Sequence, residues 1–230
     1  MDQSENNEFT AASTKPEVTE RQADEKLWAS HGVEDVYFQR EAQVTWWTIL
    51  GGIAVGAILT RLESIPAALK AGQWYVLLYL LATLLIIINS WVQTTWGSLV
   101  LRWPLSIPTA VFISIQGISM SVAGLNASKP ALWYTAISVV LVTAVLNQWS
   151  FSRTNAWANL PGELVKRAKT GILIYCFMCI FAVASSVLLA LTGGKTLEMT
   201  WGIIALVVSI LALVWQHIGM SAEKRMMGIP

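Results

Sequence analysis

An all-α membrane protein with six spanning helices is the fold class this sequence predicts, and three observations predict it. Hydrophobic residues make up 55% of the 230-residue chain and charged residues 13%, where a soluble domain carries about a quarter charged. Mean hydropathy is positive. From Val44 onward the apolar residues gather into six runs, 44–62, 74–95, 104–125, 131–151, 171–192 and 199–218, with no charged residue in the middle of any of them. Each is near the roughly 20 residues that cross a hydrocarbon core of about 30 Å. Backbone amides in lipid have to be bonded within their own segment, so runs of this length are helices.

Taken in order, residues 1–43 form an acidic segment with ten acids and four bases, whereas residues 44–230 hold four acids and eleven bases. Residues 1–15 have little to bury and are expected to be disordered. Thr14 and Glu17 have the spacing of a capping box that opens a polar helix to about Ala29, and a second helix from Val33 runs into the membrane. The segment lacks the basic and early apolar regions of a cleaved signal, so the first span is expected to serve as the uncleaved targeting signal. The six-helix bundle occupies 44–218, and 219–230 form a short C-terminal tail. Lys26, Arg40, Arg102, Arg153, Lys166, Arg167, Lys169, Lys224 and Arg225 fall on one side of the membrane, and Arg61, Lys70, Lys129 and Lys195 on the other. That bias places both termini in the cytosol, in a plasma or inner membrane.

Residues 74–91, WYVLLYLLATLLIIINSW, return in altered form as 133–149, WYTAISVVLVTAVLNQW, and more weakly as 201–215. The spans therefore read as three helical hairpins, a possible repeat. Trp74 and Trp91 are about 26 Å apart along a helix, so the tryptophans are expected to mark the two interfaces. Spans one, three and five instead carry small residues every three or four positions: Gly52 and Gly56; Ala110, Ser114, Gly117, Ser121 and Gly124; Ala182 and Ser186. Helices in lipid associate where small side chains admit close approach. Odd-numbered spans are thus expected to pack together, with spans two, four and six turned toward lipid or neighbouring subunits.

Chemistry-bearing groups are few. The spans hold no nucleophile with a base, no paired carboxylates and no phosphate-cradling loop, and no cofactor or metal is expected. Cys176 and Cys179 read as packing thiols. Gln116 lies near mid-depth of span three, where a primary amide needs partners. Asn89 and Asn147, about 21–22 Å below the far belt, join Gln93, Gln148, Gln216 and His217 as a polar ring or solute lining at one end. Lys166, Arg167 and Lys169 are candidates for anionic lipid or for docking the acidic tail. The composite expectation is a non-catalytic accessory, assembly or regulatory subunit in a homo- or hetero-oligomer, with residues 1–43 available to a cytosolic protein and no nucleic-acid partner. The alternative is a channel or facilitator for small neutral or weakly charged solutes.

Overall fold

The computed structural model describes residues 33–99, 106–153, 155–158 and 160–226, and every regular element among them is helical. Expectations for residues 1–32, for 104–105 at the start of the third run and for 227–230 lie outside the described residues. Six helices are long and apolar enough to cross a membrane: α1 (Val33–Leu59), α2 (Tyr75–Leu99), α3 (Ile107–Leu125), α4 (Pro130–Phe151), α5 (Gly162–Thr192) and α6 (Lys195–Met226).

Local chemistry sets their ends. Ser106 caps α3, its Oγ accepting the Thr109 N–H at 3.3 Å, and prolines sit in the first turns of α3 and α4 where no intrahelical N–H is needed. Between α1 and α2 the chain makes a 3₁₀ turn (Leu62–Ser64) and a short helix (Ile65–Lys70), then reverses at Gly72, whose φ of 72° favours a residue without Cβ. Helix α5 begins at Gly162, so the Glu163–Lys169 stretch extends the fifth span by about two turns. Helix α6 runs without a break to Met226.

The helices form a ring in the order α1, α3, α4, α5, α6, α2, with α1 closing against α2 and only slight contact between α5 and α6. Two features depart from the odd-and-even expectation. Helix α5 packs on α4 rather than joining α1 and α3. In its most apolar stretch α4 is 56% buried, against 17% for both α5 and α6, so an even-numbered span is the central one. The physical reason lies in its large aromatics: Trp133 and Tyr134 turn inward, where their polar atoms find partners on α2 and α6.

The small-residue stripes divide accordingly. A Cβ on Gly117 would lie 2.8 Å from Leu50 Cβ, and one on Gly124 would lie 3.0 Å from Ile58 Cγ1, so these two glycines permit the α1–α3 approach. Gly52 and Gly56 face open space at the Cβ position. Their carriage of the contact is corrected: Leu50, Ala54 and Ile58, not the glycines of α1, form its buried side. Ser114 accepts the Trp46 indole N–H at 3.1 Å, a second α1–α3 tie. Ala110 and Ser121 are half-buried on α3. Ala182 is buried, and Ser186 donates to Ala131 O at 2.9 Å, both serving the α4–α5 contact. The aromatic pattern also splits. Trp74, Trp91 and Trp149 are exposed as interfacial residues are, but Trp133 is 2% exposed and belongs to the core.

Candidate functional site

Two adjoining cavities lie inside the ring. The smaller, about 90 Å³, is lined by Ser90 of α2, Gln116 of α3, Trp133, Tyr134 and Ile137 of α4, Phe181 of α5 and Ser209 of α6, among others. It has room for about three waters at the ~30 Å³ each takes in the liquid. The larger, about 560 Å³, extends toward the end of the bundle where α1 begins and α6 finishes, between α2, α4, α5 and α6. Its size falls within the range of small-molecule sites. Asn89, Gln93, Tyr175, Met178, Val208 and Ala212 line both.

The shared floor is a hydrogen-bonded set. Asn89 and Gln93 stand one turn apart on α2. Gln93 Oε1 accepts from the Tyr175 hydroxyl at 2.9 Å, tying α2 to α5. Gln216 of α6 bonds back to α2: its amide nitrogen donates to Asn89 Oδ1, and its oxygen accepts the Gln93 backbone N–H at 2.9 Å. That orientation follows from the network, which leaves the opposite one with donors facing donors. Gln116 reaches Ser90 Oγ at 3.5 Å, a long contact that leaves its amide nearly free to bond a molecule in the small chamber. Gln148 lines the large chamber, and its Oε1 is buried without a partner.

Beyond the small chamber the bundle is shut by aromatic rings. Tyr79 and Trp133 have centroids 4.9 Å apart, Trp133 and Tyr134 4.9 Å, Tyr134 and Trp201 5.9 Å, and Phe181 and Trp201 5.2 Å. Three of the polar tips are bonded: Trp133 Nε1 donates to Thr83 Oγ1 at 2.8 Å, and the Tyr79 and Tyr134 hydroxyls donate to the Glu198 and Trp201 carbonyls at 3.2 and 2.9 Å. Closely packed aromatic rings tied by three hydrogen bonds make a rigid plug.

At the opposite end an ion pair crosses the rim. Arg167 Nε of α5 lies 3.4 Å from Glu223 Oε1 of α6, while Glu223 Oε2 accepts the Trp96 indole N–H at 2.7 Å. The Arg167 side chain passes over Gly219, where a Cβ would collide with the guanidinium. Lys224 stands 5.8 Å from the Trp96 ring and Arg167 5.9 Å from that of Trp215.

Five of the seven candidate polar residues therefore meet around one cavity pair: Asn89, Gln93, Gln116, Gln148 and Gln216. Asn147 points elsewhere; it is buried, lines neither chamber, and its Oδ1 is unpartnered. His217 is exposed and also lines neither. The three neighbouring bases separate as well, since Lys166 and Lys169 are exposed while Arg167 turns inward to Glu223. Sequence reasoning missed Tyr175, Trp96, Gly219 and Glu223. A signal was available for three of them: Asn89, Gln93 and Trp96 share an i, i+4, i+7 stripe, and Gln216, Gly219 and Glu223 an i, i+3, i+7 stripe. No family model matches the chain, and no match was found among curated proteins or solved structures.

Proposed function

We propose that the protein is a facilitator that carries small neutral or weakly charged solutes across the membrane by way of the paired chambers. One observation carries this reading: five primary amides from four helices line two adjoining cavities. Amides supply donors and acceptors without charge, so they replace the hydration of a polar neutral solute. The rim charges Arg167 and Glu223 offset one another. In this reading the Tyr175–Gln93 and Gln216–Asn89 bonds are the contacts a solute exchanges on its way between chambers.

Both termini are inferred to lie in the cytosol, from the excess of bases at that end, with the protein in a plasma or inner membrane. The hairpin repeat rests on sequence pattern, with Tyr75 and Tyr134 as its matching buried pair. An accessory role, within a homo- or hetero-oligomer, is the second reading, and what favours it is the largely outward surface of α5 and α6.

A flux assay on purified protein in liposomes, with neutral solutes of graded size, decides between the two. The facilitator reading expects flux above that of empty vesicles. Gln116→Leu should lower it about five- to tenfold, the effect of one hydrogen bond of about 1–1.5 kcal/mol. No flux from the unaltered protein, or a Gln116→Leu variant as active as its parent, removes the facilitator reading and leaves the accessory one.

A further inference from the structure

The large chamber is not sealed on its α5–α6 side. Leu211, Val214, Trp215 and Ile218 line it, yet each is about half exposed, as is Ile174 across from them. These four α6 residues are apolar and lie on a helix long and apolar enough to cross a membrane, so in a bilayer this edge would meet lipid rather than water. The two helices that flank it are neighbours in sequence but touch only slightly. The α5–α6 wall of the cleft is apolar, the amides of Asn89, Gln93, Gln148 and Gln216 lie on its inner side, and the charges stand at the rim. There Arg167 and the exposed Lys224 outnumber Glu223 by one charge, and Arg167 meets Glu223 at 3.4 Å with the Trp215 ring 5.9 Å away. Inside, Gln148 Oε1 is a buried acceptor awaiting a donor.

We infer that this cleft is a site for an anionic single-chain amphiphile drawn from the membrane. Its acyl chain lies between α5 and α6 in the large chamber, and its acidic headgroup takes Arg167 from Glu223 at the rim. A headgroup hydroxyl donates to Gln148. Gly219 makes the exchange possible, because its missing Cβ lets the Arg167 side chain swing across α6. Occupancy would fill the large chamber from the side. The inference stands whether or not a solute crosses the protein.

The test uses the full-length protein in a mild neutral detergent, stripped of lipid, with lysophospholipids of one acyl chain and different headgroups: phosphate, glycerol phosphate and choline phosphate. An alkyl trimethylammonium of the same chain length is the cationic control. Native mass spectrometry reads the amount retained. The anionic forms should be retained about fivefold or more over the choline form, the discrimination that one basic side chain supplies. Arg167→Gln should erase that preference. Glu223→Gln, which removes the competing carboxylate, should raise it, so the two variants move in opposite directions and loss of folding cannot imitate the pattern. Equal retention of all headgroups would mean annular lipid only and would overturn the proposal. So would preference for the trimethylammonium amphiphile, or two variants that behave as the parent does.

Discussion

Thr83 shows how one hydroxyl can set the orientation of a large side chain inside the bundle. It is fully buried on α2, donates to Tyr79 O at 2.7 Å and accepts the Trp133 indole N–H at 2.8 Å. Thr83→Val keeps the shape but strands that N–H among apolar neighbours. The expected cost is about 1–2 kcal/mol, the range for an orphaned buried donor in a setting where intramembrane hydrogen bonds are of modest strength. It should appear as a lower midpoint of thermal unfolding in detergent, and Thr83→Ser, which keeps the hydroxyl, should recover most of the loss. In a double-mutant cycle Trp133→Phe should cost less once Thr83 is valine than when it is threonine, the difference being the energy of the lost bond. An unchanged midpoint for Thr83→Val would show that the indole finds another partner and that the aromatic plug does not depend on this bond.

Among the elements, the α1–α3 contact is governed by one side of the pair. Gly117 of α3 has Leu50 Cβ 2.8 Å from where its own Cβ would be, and a Cβ cannot rotate aside. Gly117→Ala therefore has to part the helices and should cost about 1–3 kcal/mol, as overpacking does. Gly52→Ala, on an exposed face with open space, should be neutral or gain up to about 1 kcal/mol from helix propensity. Thermal midpoints of the two variants in the same detergent check this, and equal shifts would contradict the close approach. The contrast also marks what could be read from sequence. Six spans were legible, because length and apolarity alone determine what crosses a bilayer. Which helices touch was not, since lipid is as apolar as a core and hydrophobicity no longer separates inside from outside. Small residues marked the correct face of α3 and misled on α1. The direction a polar group faces was not legible, which is why Asn89 meets the chamber and Asn147 does not.

At the scale of the whole molecule the bundle is asymmetric from end to end. Bonded aromatics close it near the α3–α4 and α5–α6 turns, while the larger chamber lies toward the end that holds the ion pair. Such a shape gives access from the ion-pair end alone, and cysteine labelling can test it. With Cys176 and Cys179 replaced, Ala168→Cys places a thiol on the large chamber near the rim, and Ala205→Cys places one on the small chamber beneath the plug. In oriented vesicles an impermeant maleimide should modify Ala168→Cys from the cytosolic face alone, because reaction needs an accessible thiolate. Ala205→Cys should stay protected from both faces. Adding Tyr134→Ala removes a ring from the plug along with its bond to Trp201 O, and should expose Ala205→Cys to reagent on the face opposite the termini. Labelling of Ala168→Cys from that opposite face would reverse the orientation inferred from the basic residues. Labelling of Ala205→Cys there with Tyr134 intact would mean that the aromatic cluster does not close the bundle.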